Sequence, residues 1–384
     1  MNLGSIGITS AAFWVVALLG LVLLVPFARR KQRSCAAAFL NLAFLGWVQH
    51  RWLLATLALL LLSYAAVVLV DRGRLLRRRA YLAAVSATLG LFIAFKTPAL
   101  ARHLPPAPML WLSGMGFSYM ALRFLDELAL VRDKGGAPGL VEHVNYLVPF
   151  HMLAAGPIQA FADFKATPAV SEPLSFAQAL GACERVALGL FKKLVLAHLI
   201  ERLFLTGFRS HGLYYVLEVQ LFLPWLYLDF SSYSDIAVGV GRLLGIVTPE
   251  NFDRPYLARD MVDFWQRWHI SLSHWIRRNV FVPLQMALQR RYPDRSPLVT
   301  SSITLGISFG FCGLWHMVSW RFAAWGVMHA LGVVAANASQ ALSLRKLGRA
   351  GYQAYRRRPL PRVIGIVLTF EFVAWSLAIV GGRA

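Results

Sequence analysis

Acidic residues are scarce in this sequence: 18 Asp and Glu stand against 39 Lys and Arg in 384 residues, and the four types together make up only 15% of the chain. So little charge cannot cover a water-exposed globule of this length, which excludes an ordinary soluble protein. Cysteine is scarcer still. Cys35, Cys183 and Cys312 all lie in apolar stretches and share no disulfide or metal-ligand spacing. There is no His-Glu-x-x-His, no Gly-rich phosphate loop and no Gly-x-Ser-x-Gly elbow, so the chain lacks the sequence equipment of zinc peptidases, P-loop enzymes and α/β-hydrolases. No internal repeat of fixed period is visible.

Apolar length is what the sequence has in excess, at 58% hydrophobic residues. The uncharged runs Ser5 to Ala28 and Leu53 to Val70 are long enough to cross a hydrocarbon core of about 30 Å. The net charge of +21 sits in blocks between such runs: Arg29 to Arg33, Arg72 to Arg79, Arg132-Asp133-Lys134 and Arg345 to Arg362. That placement reads as cytoplasmic loops under the positive-inside bias, not as a nucleic-acid surface. The first apolar run is followed, not preceded, by its basic block, the reverse of a signal peptide, so we expect a retained span with its N-terminus outside.

The chain therefore reads as an all-α polytopic membrane protein of about nine to eleven embedded helices, a single integral membrane domain over residues 1–384. Leu104-Pro105-Pro106-Ala107-Pro108 reads as a corner and Gly135 to Gly139 as a turn. His143 to Ala162 has no Asp, Glu, Lys or Arg but contains Pro149, Gly156 and Pro157, which predicts a broken or re-entrant segment satisfied by protein or by a water-filled cavity. Ser296 to Trp320 and Phe322 to Leu344, parted only by Arg321, predict a tight hairpin or one long bent element.

Two histidine blocks carry the chemical interest. In Asp263 to Arg278, Trp265, Trp268, Leu272, Trp275 and Ile276 recur at helical spacing, which predicts one amphipathic helix with its apolar face toward the interface or a cavity. His269 falls with Trp265, Leu272 and Ile276, so its imidazole is expected to be partly buried and neutral. A hydrogen-bonded interfacial histidine is the plainer alternative. His316 ends a long uncharged run between Trp315 and Trp320, and at that depth an ionisable side chain is a functional candidate. Cys312, one helical turn earlier, is either a nucleophile activated by His316 or a small core residue. His269, His316 and His329 are a weak candidate metal set, and we expect no metal and no bound cofactor. A neutral histidine that takes a proton from an alcohol, so that the oxygen attacks an acyl carbonyl, needs one base and something for the oxyanion. Tryptophan N–H groups, Ser271, Ser273 or Asn251 are the candidate donors. Asp229 and Asp235, among Ser231, Ser232, Tyr233 and Ser234, form either a hydrophilic tunnel wall or a set of helix-to-helix hydrogen bonds and ion pairs.

These residues resemble the membrane-bound O-acyltransferase family, in particular its bacterial branch of alginate O-acetylation and teichoic acid D-alanyl transfer proteins. The resemblance rests on Tyr227 to Ala237, Pro249 to Phe252, Arg254-Pro255-Tyr256, Asp263 to Ser273, and Leu314-Trp315-His316 followed by Trp320, Trp325-Gly326 and His329. Asn145 to Gln159 resembles an earlier gate-forming segment, and the likeness covers roughly residues 140–335. It implies a fold of tilted and broken helices around a central tunnel, with His316 catalytic and His269 the second active-site histidine. From the residues themselves, Trp265, Trp268, Asn251, Ser273, Trp315 and Asp229 are the expected substrate-binding residues. The resemblance further implies transfer of an acyl group, most simply acetyl, to a hydroxyl of an envelope polysaccharide or to a periplasmic partner transferase. The donor would be cytoplasmic, acetyl-CoA or an acyl carrier protein, and the protein would sit in the bacterial inner membrane. D-alanyl transfer is the alternative within the family. Arg278-Asn279 stands where the family has Asp-Tyr, the double glycine expected after Val282-Pro283-Leu284 is missing with Gln285 in its place, and Met317 replaces a glycine, which bears on donor and acceptor identity. Outside the family, the rival readings are a transporter or flippase of envelope precursors, or a membrane scaffold.

Overall fold

The computed structural model describes residues 7–24, 30–72, 74–103, 109, 111–112, 116–167, 174–205 and 211–381. Among them secondary structure is helical apart from one isolated bridge, Phe252 with Trp268. The all-α polytopic reading holds. His50–Asp71, Leu76–Lys96, Pro297–His316, Trp320–Arg357 and Pro359–Gly381 are long and apolar enough to cross a membrane, and Ala11–Leu24 is a shorter apolar helix. The Pro-rich corner at 104–108, the ends of the first apolar run and residue 29 of the first basic block lie outside the described residues.

The chain divides into two compact units, Met1–Phe191 with Ser232–Pro249, and Lys192–Ser231 with Glu250–Ala384. Leu213–Leu243 is one helix whose residues belong to both.

In the first unit the broken segment is as expected. A helix over Leu140–Leu147 gives way to a single turn over Phe150–Met152 and then to irregular chain up to Ala160. Backbone carbonyls freed by such a break need partners. Arg123, fully buried, donates to the carbonyls of Met152 at 2.8 Å and Pro157 at 3.0 Å. Asn41 Oδ1 accepts from Phe150 N at 2.9 Å. Nearby, buried His143 bridges Glu127 at 2.9 Å and Ser63 at 2.9 Å, so both of its ring nitrogens have a partner.

The second unit holds the C-terminal hairpin. Pro297–His316 and Trp320–Arg357 are joined by Met317 to Ser319, and Ser319 caps the second helix. Of the two alternatives, the tight hairpin is the one found. Two glycines let the helices touch backbone to backbone. A Cβ on Gly313 would stand 2.1 Å from the Phe322 carbonyl oxygen, and one on Gly326 would stand 2.4 Å from that of Phe309. Neither neighbour is a side chain that can swing away, so only glycine fits. Gly326→Ala is therefore expected to destabilise the protein by about 1–3 kcal/mol, the cost of overpacking a tight contact. Thermal unfolding of the detergent-purified variant measures this, and an unchanged midpoint would refute the contact.

Candidate active site

The amphipathic helix expected over 263–278 is not continuous. It is two short helices, Met261–Arg267 and Ile270–Ile276, followed by a wider-wound turn over Arg277–Phe281. The break falls at His269, whose φ of 46° and ψ of 50° are left-handed, an uncommon conformation for a residue with a Cβ. An upstream segment enforces it. Asp253 N donates to the Arg267 carbonyl at 3.0 Å and Ile270 N to the Asn251 carbonyl at 3.0 Å, so residues 251–253 pair with 267–270 and pull that stretch out of the helix. Asn251 Oδ1 then accepts from Ser271 Oγ at 2.6 Å and Ser271 N at 3.3 Å, filling the role of a cap for the second helix. Left-handed backbone costs about 1–3 kcal/mol and persists where surrounding structure over-determines it, as these bonds do.

The consequence is that His269 is turned into a cavity of about 280 Å³ in the second unit, which it lines together with His316, Trp265, Trp268, Trp325 and His329. The remaining wall is apolar, supplied by Phe222 to Phe230, Phe322 and the Val373 to Gly381 end of the last helix. His269 is 2% exposed, against the Phe230 ring with centroids 4.8 Å apart. Burial, and secondarily the charge His316 can carry, hold its imidazole well below the usual histidine range. It is neutral at physiological pH, as the sequence suggested.

His316, the last residue of its helix, has an exposed side chain in contrast. Its ring meets Trp315 at 4.7 Å, Phe322 at 6.0 Å and the edge of Trp325 at 5.9 Å. Trp315 is buried and also reaches His269, with centroids 6.1 Å apart, so one indole packs on both imidazoles. Trp325 Nε1 is buried and has no acceptor among the described residues.

His329 behaves differently. Its Nδ1 accepts from Trp265 Nε1 at 3.3 Å, and an indole nitrogen can only donate. Nε2 therefore carries the proton and donates to Ser376 Oγ at 2.9 Å, whose hydroxyl donates to the Val373 carbonyl at 2.6 Å. Both ring nitrogens of His329 are thus engaged, and the residue anchors Trp265. Sequence reasoning named His329 but missed Ser376, a hydroxyl in a terminal apolar span with no pattern around it.

The other expected site residues lie elsewhere. Asn251 is fully buried behind the His269 turn and does not line the cavity, so it positions His269 instead of facing it. Ser273 and Cys312 line a neighbouring cavity, and neither lines the one that holds His316. Asp229 is ion-paired with Lys193, and Ser231 accepts from Lys192, which is the bonding alternative for that segment. Among the described residues no group of three His, Cys, Asp or Glu side chains is placed to hold a metal ion.

His269 also makes stability depend on pH. Its folded pKa lies below the unfolded one, so the unfolded chain binds the extra proton and stability falls as pH drops below about 6.5. His269→Gln should make the fall in unfolding midpoint between pH 6.5 and 5 shallower than in wild type. An equally steep fall in the variant would contradict the buried neutral imidazole.

A comparison with known families matches residues 8–346 to the membrane-bound O-acyltransferase family. Among curated proteins, the chain is 30% identical to a teichoic acid D-alanyltransferase of Streptococcus thermophilus over 71% of its own length and 69% of that protein. It is 24% identical to a teichoic acid D-alanyltransferase of Bacillus subtilis over 97% of its length and 98% of that protein. It is 32% identical to a peptidoglycan O-acetyltransferase of Helicobacter pylori over 49% of its length and 34% of that protein.

Proposed function

The chain belongs to the membrane-bound O-acyltransferase family, as a multi-pass membrane acyltransferase, and from that premise we propose that it moves an acetyl group from a cytoplasmic thioester toward an envelope hydroxyl. The donor would be acetyl-CoA or an acyl carrier protein. The acceptor would be a polysaccharide hydroxyl, or that of a partner transferase on the outer face of a bacterial inner membrane.

The observation that carries this reading is one cavity lined by an accessible His316, a buried neutral His269 and Trp325, whose buried N–H has no acceptor among the described residues. His316 takes the proton of the acceptor hydroxyl as its oxygen attacks the thioester carbonyl carbon. The carbonyl oxygen becomes an oxyanion, and the Trp325 N–H is the donor suited to receive it. Collapse re-forms the carbonyl and breaks the carbon–sulfur bond, and the departing thiolate takes the proton from His316. His269, too buried to reach the acceptor, orients the thioester.

The cavity chemistry favours acetyl. A D-alanyl group brings an ammonium, and no Asp or Glu is among the described residues that line the cavity. D-alanyl transfer stands as the second reading because the two relatives aligned over most of the chain are D-alanyltransferases.

Inverted membrane vesicles supplied with acetyl-labelled or D-alanyl-labelled thioester donors test the choice. Acetyl label should enter alkali-labile ester in the envelope fraction. Incorporation of D-alanyl alone would replace the first reading by the second.

A further inference from the structure

One side chain, Trp265, lines both the histidine cavity and a second cavity of about 360 Å³ in the same unit. The second cavity is walled mainly by Val262, Ile276, Phe281, Leu305, Phe309 and Val333. Resting on the acyl-transfer reading of the first cavity, we propose that Trp265 is the partition that limits the acyl group to a short chain, and that removing its indole opens the apolar space behind it to a longer one.

Three observations carry this. First, no other residue is common to the two cavity walls among the described residues, so the indole is where they adjoin. Second, the indole is fixed in place. Its N–H is held by His329, which Ser376 holds in turn, and its ring packs edge-on against Phe309 at 5.1 Å and Trp325 at 6.0 Å. A rotamer locked by a directional bond and two rings is a wall, whereas a loosely packed side chain would yield to a larger substrate. Third, the space behind is mostly hydrocarbon, the environment an alkyl tail prefers. Ser273, Arg277, Ser308 and Asn337 are the polar members of that lining, and Ser308 Oγ is buried without a partner among the described residues. A specificity boundary of this kind discriminates against long acyl groups by exclusion and needs no contact with the reacting atoms.

The test uses the full chain in inverted vesicles given labelled acetyl, butyryl or hexanoyl thioesters of pantetheine, with label counted in ester-linked envelope material. Wild type should prefer acetyl over hexanoyl by at least about tenfold, the discrimination available to a hydrophobic wall. Trp265→Ala should bring the two near parity, with the acetyl rate itself reduced. Trp265→Leu, a milder change made in case the first variant does not accumulate, should move the ratio in the same direction. Ser308→Trp, which fills the second cavity, should restore the acetyl preference on the Trp265→Leu background. An unchanged ratio in a variant present at wild-type abundance overturns the partition while leaving the acyl-transfer reading intact. Incorporation that survives His316→Ala overturns both, since the first cavity would then not be the reaction site.

Discussion

Changing His316 to alanine is expected to lower acyl transfer by about 10²- to 10⁴-fold, the range that a positioned general base contributes. The size of the effect follows from the cavity's composition. His316 is its accessible imidazole, His329 has both nitrogens engaged with Trp265 and Ser376, and His269 is 2% exposed. No second base stands ready to take the proton. The loss should appear in kcat at equal membrane abundance, and the unfolding midpoint should change little because the side chain is exposed. His316→Ala with undiminished ester formation would remove the residue from the chemistry.

Trp325→Phe is expected to cost about 10²–10³-fold in kcat with KM nearly unchanged, the price seen when one oxyanion donor is lost. Phenylalanine keeps an aromatic ring beside His316 and His329 and deletes only the N–H, which finds no acceptor among the described residues. A buried donor left unsatisfied in the resting protein costs stability. The same change should therefore hold or raise the unfolding midpoint while kcat falls. A midpoint that drops together with a KM effect would indicate a packing role for the indole.

Much of this site was legible in the sequence because its parts are local. The spacing of Trp265, Trp268 and Leu272 placed three aromatic or apolar side chains and His269 together, and they do line one cavity. The isolation of His316 between tryptophans at the end of an apolar run marked the second histidine. The interruptions at Pro149, Gly156 and Pro157 announced the broken segment that Arg123 and Asn41 sustain. What was not legible depends on partners far along the chain. The hydrophobic period runs through His269 without a break, and a helix across it was the natural expectation. The break is imposed by Asn251 and Asp253, whose pairing with 267–270 no local pattern encodes. For the same reason Asn251 was read as facing substrate when its amide oxygen is occupied by Ser271. His329 was read as a weak candidate metal ligand, and only Ser376, in another helix, reveals it as an anchor. Asp229 was left between two roles because its partner Lys193 lies in a different helical segment.

The central claim is that the cavity between His316 and His269 forms an ester on an envelope hydroxyl. Mass spectrometry of envelope glycans tests it most directly, in cells carrying the wild-type chain, His316→Ala or His269→Ala at matched membrane abundance. The account predicts an acetyl ester in wild type, its loss in the His316 variant and a strong reduction in the His269 variant. An ester that persists unchanged in both variants would contradict the account and favour transport or scaffolding over catalysis.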